Sequence, residues 1–364
     1  MVVCLGYMTE NGEARRAYAD APQVSVVATG LHNPRGLNFA PDGSLYVAEA
    51  GGNGTASADC GLMGDGQVKC SASTGSIAKV DVNSGDLTRV LSDLPSLIAP
   101  NGTANGATGP HDVSFQGLGN GYFTIGLGGD PTKRTQYFHD AGAHYGRLAR
   151  FNPSGNGSLR QDIGGYEAAN NPDGFVPDSN PYGVLALPGR VVIADAGGND
   201  LIQVLADGSV STLAVFPRVN RPAGLAGPPS VQAVPTSVAL GPDGNLYVGQ
   251  LTGGPFTVGI ANVYRLPAGG GTPEVAYSSF TNIIDIGFGP DGSLYVLEIV
   301  RTAIPRFGDG GRLVRIDPEG NRTDVLSGPS FFAPGGVAVG KDGAIYVTVA
   351  SISPTDGAVI KIVL

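Results

Sequence analysis

The chain has 364 residues, including 58 Gly and 27 Pro, and its 31 Asp and Glu against 22 Lys and Arg give a net charge of −9. Hydrophobic residues at 41% and charged residues at 15% supply a large core, which excludes extended disorder, coiled coils and collagen. The acidic balance argues against a nucleic-acid partner, which needs a basic groove, and no apolar run approaches the roughly 18 residues of a membrane span.

In chain order, residues 1–21 read as a loose tail or leader remnant, in which Cys4 breaks a short apolar stretch. Residues 24–31, VSVVATGL, follow as a strand. Then six copies of one unit appear, each a short strand, a turn and a second alternating strand. They are PRGLNFAPDGSLYVAEA (34–50), PHDVSFQGLGNGYFTIG (110–126), PYGVLALPGRVVIADA (181–196), PTSVALGPDGNLYVGQ (235–250), IIDIGFGPDGSLYVLE (283–298) and PGGVAVGKDGAIYVTV (334–349). The Asp-Gly turns between β formers are hairpin signals. Equivalent positions Leu37, Val113, Val184, Val238, Ile286 and Val337 are 76, 71, 54, 48 and 51 residues apart. That is the period of four-stranded propeller blades with insertions in the first two.

Two further strands complete most copies: 76–82 and 86–94 in the first, LIQVLAD and VSTLAVF in the third, NVYRLPA and PEVAYSS in the fourth, RLVRIDP and TDVLSG in the fifth. The sixth has only 358–364, and its missing outer strand is assigned to 24–31. The expectation is an all-β, six-bladed propeller in one domain, 22–364, whose last blade is closed by the N-terminal strand. Such closure removes exposed sheet edges. The Leu-Tyr-Val triplets are expected to pack blade on blade.

Cys60 and Cys70 bracket CGLMGDGQVKC in a long Gly-rich loop. A disulfide between them, with Cys4 free or absent from the mature protein, points to an extracytoplasmic location.

Loops entering each first strand and leaving each second strand share one end of the ring, the upper face, where the longest loops fall. First-strand entries Arg35, His111, Tyr182, Thr236, Ile284 and Gly335 are placed around the channel mouth. Second-strand exits Glu49, Gly126, Asp195, Gln250, Glu298 and Val349 are placed with them. Three readings of this funnel stay open. Glu49, Asp195 and Glu298, with His111, hold a calcium or magnesium ion in the central channel. Alternatively His111 is a metal-free base, oriented by Glu49 across the funnel, with Arg35 clamping an anion. In the third, these groups only tie blades together. Tyr182 and Gln250 are candidate ligand contacts. His144 is placed over the mouth, and Tyr137, with Phe138 and Tyr145, makes a candidate aromatic lid. The partner expected is a small organic molecule, such as a lactone or ester, bound by a monomer with hydrolase or lyase activity. The alternative is a non-catalytic scaffold whose loops contact another protein.

The repeats, the opening VVATGLHNPRGLNFAPDGSLYVAEAG and the GPHDV and NPYGV entries resemble the ScyD/ScyE family of exported bacterial propeller proteins. That resemblance implies the propeller fold and export. More broadly, the pattern is similar to NHL-repeat and gluconolactonase-like propellers. The latter hold a divalent ion with Glu, Asn and Asp, a set from which the entry positions here depart. Streptogramin-lyase-like propellers use histidines with a glutamate and magnesium, and His111 is the entry position that echoes them.

Overall fold

A computed structural model of the chain describes residues 21–117 and 119–364. The expectations for Cys4 and for the segment 1–21, apart from Ala21, lie outside the described residues.

Among the described residues, six antiparallel blade sheets, five of four strands and one of five, follow one another around a ring, and a small two-stranded sheet pairs Val219–Asn220 with Ser230–Val231 in an upper loop. The first strands pack against each other around the axis and line the centre. They are Pro34–Phe39, Pro110–Gln116, Pro181–Leu187, Pro235–Leu240, Ile283–Phe288 and Gly336–Val339. Second strands Leu45–Glu49, Asn120–Ile125, Arg190–Asp195, Leu246–Gln250, Leu294–Glu298 and Ile345–Val349 lie outside them. In the sixth blade, Gln23–Leu31 pairs antiparallel with Gly357–Val363, from Gln23 opposite Val363 to Leu31 opposite Gly357. The N-terminal strand therefore closes the ring, supplying the outer strand that the sixth copy lacks.

The lower turns repeat one device. Asp42, Asp243, Asp291 and Asp342 each accept from the backbone N–H two residues on. The following Gly43, Gly244, Gly292 and Gly343 adopt φ of 81° to 87° or, for Gly244, 77°. An Asx turn with glycine at positive φ reverses the chain at little cost. Tyr46 and Tyr295 of the triplets, and Tyr346 at the matching position of blade 6, are buried between blades, whereas Tyr247 of the remaining triplet is half-buried and its hydroxyl donates to Asp243 at 3.2 Å. Tyr46 packs on Phe115 and Phe151 of blade 2, with centroids at 4.9 and 5.8 Å, and Phe39 meets Tyr346 of blade 6 edge-on at 5.2 Å.

Two regions differ from the sequence reading. The 60–70 segment is a hairpin rather than a loop: Cys60–Leu62 pairs with the start of the 13-residue strand Val68–Val80. Cys60 and Cys70 face each other across it and are disulfide-bonded. Blade 2 carries outer strands Arg147–Phe151 and Gly157–Asp162 after an insertion with a short helix, Arg134–Phe138, and a 3₁₀ turn, His139–His144. That insertion puts 21 residues, 126–146, between the blade's halves and masks its repeat.

Candidate functional site

Three layers lie along the ring axis. The middle one is a neck built by the first strands of blades 1 to 3. His111 and Arg35 are buried there, at 3% and 8% exposure. The His111 ring stacks on Tyr182 with centroids 4.4 Å apart, and its Nδ1 lies 3.2 Å from the carbonyl of Pro181. A carbonyl only accepts, so Nδ1 carries the proton and Nε2 is left as an acceptor. Burial, with a smaller push from Arg35, lowers the imidazole to about 3, so it is neutral at physiological pH. Gly126 leaves the space the ring needs, since a Cβ there would overlap it. Arg35 Nη2 donates to the carbonyl of Ala107 at 2.8 Å, while its Nε and the Tyr182 hydroxyl are buried without partners. Thr236, Ile284 and Gly335 complete the ring of entry positions, Thr236 bonding the carbonyl of Ile283 in the next blade at 2.8 Å.

Below the neck is a channel cavity of about 250 Å³, whose walls include Asp112 and Asp285. Each carboxylate ties two blades. Asp112 accepts from Val113 N–H at 2.7 Å and from Val184 N–H of blade 3 at 2.8 Å. Asp285 does the same with Ile286 and with Val337 of blade 6, at 2.8 Å each. Burial raises both: Asp285 to about 7, and Asp112 well above its usual value with the charge of Asp285 adding to the effect.

Above the neck, the upper-face loops enclose a cavity of about 270 Å³. Met63, Leu251 and Phe256 supply apolar walls; Lys69, Asp178 and Asn180 supply polar ones. Lys69 is buried, and its ammonium donates to the Gly106 carbonyl at 3.2 Å and the Thr108 hydroxyl at 3.0 Å. Burial lowers its pKa. Asp178 has one oxygen without a partner, and burial, then the charge of Asp195, raises it to about 7. Neither Arg35 nor His111 lines this cavity. Lys69 and Asp178 were not singled out from sequence. The available signal was a lone lysine between Val68 and Cys70 in a chain poor in lysine.

The second-strand exits lie behind this axis, and the expected calcium or magnesium ion in the channel is not supported by them. Glu49, Asp195, Gln250 and Glu298 are all buried and all anchor the chain that enters their own blade. Glu49 accepts from His32 N–H at 2.7 Å, Asp195 from Asn180 N–H at 2.6 Å and Glu298 from Thr281 N–H at 2.7 Å. Gln250 donates to the Ala233 carbonyl at 3.1 Å. The remaining capacity of Glu49 goes to Arg89 and the Ser76 hydroxyl, so it does not reach His111. Asp195 also accepts from Gly197 and Gly198 N–H and from Ser179. Oxygens committed to backbone N–H groups are poor metal donors. Among the described residues, no group of three or more His, Cys, Asp or Glu side chains is arranged to hold a metal ion.

Tyr137 packs its ring on Gly61 of the disulfide hairpin. Phe138 and Tyr145 are fully buried, and the Tyr145 hydroxyl bonds Ser71 at 2.7 Å and the Ser96 carbonyl at 3.0 Å. His144 is exposed at the end of the 3₁₀ turn. The insertion thus anchors the hairpin that carries Lys69. Beside it, Glu167 and Asp200 are buried with all four carboxylate oxygens unpartnered, close around Gly198. Burial, then the neighbouring carboxylates, pushes Glu167 to about 8 and Asp200 well above its usual value.

No family model matches the chain, and no curated protein matches it. Solved structures do. Virginiamycin B lyase from Staphylococcus aureus is 14% identical, with a TM-score of 0.50 over 93% of this chain and 99% of that one. The PQQ-bound aldose sugar dehydrogenase of Streptomyces coelicolor is 14% identical, with a TM-score of 0.52 over 94% and 98%. A protein of unknown function from Bacteroides thetaiotaomicron is 11% identical, with a TM-score of 0.55 over 94% and 76%. The likeness is one of fold. The chain shares the propeller architecture with these structures.

Proposed function

We propose that the upper cavity binds a small organic molecule and that Lys69 and Asp178 carry out proton transfer on it, in a reaction of hydrolase or lyase type. The observation that carries this reading is a pair of buried groups on one cavity, an ammonium lowered and a carboxyl raised to about 7. Proton transfer at neutral pH favours groups tuned in this way. Lys69 has three N–H donors and spends two, leaving one for a ligand oxygen. The partnerless oxygen of Asp178 is the proton acceptor. The ScyD/ScyE resemblance and the Cys60–Cys70 bond support an extracytoplasmic site of action.

Untargeted mass spectrometry of small molecules retained by the purified chain tests this reading, with Lys69→Met and Asp178→Asn as comparisons. A compound enriched on the native chain and lost from both variants, at unchanged melting temperature, is expected. Equal retention by all three would sink it. A second reading, a protein-binding scaffold, is favoured by Phe175, Val176, Leu225 and Val258, which are exposed on upper-face loops of blades 3 and 4. Loss of a protein partner on Val176→Asp, with small-molecule retention intact, would select it.

A further inference from the structure

On the opposite face, the seam between blades 2 and 3 opens into a cavity of about 320 Å³. Arg150, Arg160 and Arg190 line it, with Gln116, Gln161 and Tyr122, and no Asp or Glu does. Arg150 and Arg160 also line an adjoining cavity of about 300 Å³, again without a carboxylate, where Asn152 and Asn156 contribute polar groups. In a chain with 31 acidic residues and 22 basic ones, three arginines at one acid-free cavity are a marked departure from the average surface.

Among the described residues, none of the three takes part in an ion pair, whereas nearby Arg134 and Arg147 both pair with Asp162. Asp207, in the turn beside the cavity, directs a carboxylate oxygen to Ser209 instead. Arg190 donates to Gln203 Oε1 at 3.1 Å and the Ala268 carbonyl at 2.6 Å, which holds its guanidinium in place. Arg150 bonds Asn120 and lies over the Tyr122 ring at 6.0 Å. A guanidinium has five N–H donors, so most remain available. Arg160 is exposed, and no side-chain hydrogen bond engages it among the described residues.

We infer that this seam is a binding site for a small organic anion bearing two or more phosphate or carboxylate groups. Guanidinium forks match the paired oxygens of both groups, and two partly ordered arginines plus one free one suit a ligand with several such groups. The apolar flank, with Val191 and Leu148, accommodates its carbon skeleton, and the glutamine amides serve its hydroxyl or carbonyl oxygens. The site is independent of the upper cavity and of the function proposed there.

Isothermal titration calorimetry of the full chain with inorganic pyrophosphate and with citrate tests the inference and separates the phosphate and carboxylate sources. Saturable binding of at least one is expected, weakening as salt is added. Arg160→Gln should lower affinity about tenfold or more at an unchanged melting temperature, since a charge-assisted bond is lost. Arg160→Lys should recover only part, because it restores charge without the fork. Arg150→Gln should behave like Arg160→Gln, and if it fails to fold, the exposed Arg160 decides the matter. Arg322→Gln, on blade 5, should bind as the native chain does. Absence of saturable binding for both anions, or an affinity that Arg160→Gln leaves unchanged, overturns the inference.

Discussion

Glu167, Asp178, Asp285 and Glu298 hold protons in the folded chain to about pH 8, 7, 7 and 7, burial being the leading cause for each. In the unfolded chain the same groups ionise near about pH 4. Between these limits the folded state binds more protons than the unfolded state, so stability falls as pH rises through the window and is fully present below it. The melting temperature should therefore drop from pH 5 to pH 8. Glu167→Gln should flatten that profile and raise the melting temperature at pH 8; a profile that rises with pH would contradict the assignment. Glu49 behaves differently. Replacing it with Ala strips the His32 N–H, the Ser76 hydroxyl and Arg89 of their acceptor. The expected loss is about 2–4 kcal/mol in denaturant unfolding, because buried donors are left unpaired. A loss of ligand retention without that destabilisation would instead assign Glu49 to the site.

At the scale of elements, the disulfide hairpin links stability to the proposed site. It carries Lys69 and Met63 into the upper cavity, and it is held from behind by Tyr137 on Gly61. Cys60→Ser with Cys70→Ser should cost about 2–3 kcal/mol, the entropy of a short closed loop, and should also weaken small-molecule retention. Counting thiols in denaturant should show two more after reduction than before; no change on reduction would rule out the bond. The four second-strand anchors form another repeated element. Asn33, Val234, Asn282 and Ala333 all take positive φ of 41° to 55° at the same point of the repeat, just before the first strand. Three of the anchors hold the chain at this bend: Glu49 and Glu298 bond the residue next to it, and Gln250 reaches the Ala233 carbonyl, while Asp195 bonds Asn180 N–H at the entry of blade 3.

For the whole molecule, the decisive joint is the sixth blade. Removing residues 1–31 deletes the strand that covers Gly357–Val363 and opens the ring. Such a chain should lose cooperative unfolding and aggregate through the exposed edge, whereas removal of 1–20 should be tolerated. Calorimetric melts of the two truncations check this, and a normal transition in the shorter chain would mean that closure is dispensable. The axis shows why polar groups gather at the centre of a ring otherwise filled by Val, Ile and Leu. Six first strands converge there, and their side chains and backbone N–H groups must find partners across blades. Asp112 and Asp285 meet that need by bonding backbone N–H of the next blade.

The sequence by itself determined the blade count, the closing strand, the disulfide and the burial of Tyr46 and Tyr295 between blades, though not of Tyr247, which is half-buried. Each follows from short-range regularities: alternation with period two, Asp-Gly turns, or two cysteines close together. It also placed Arg35, His111 and Tyr182 near the axis, because position in the repeat sets distance from the centre. Tertiary structure decided what those residues touch. Glu49, Asp195 and Glu298 share a repeat position that points toward a shared centre on paper. Their oxygens are instead taken by local backbone N–H groups, and the nearest donor wins over a distant convergence. Lys69 and Asp178, from blade 1 and the loop before blade 3, meet at one cavity through insertions that follow no repeat. Arg150, Arg160 and Arg190 come together because two blades abut, and a register between sheets leaves no period in a single chain.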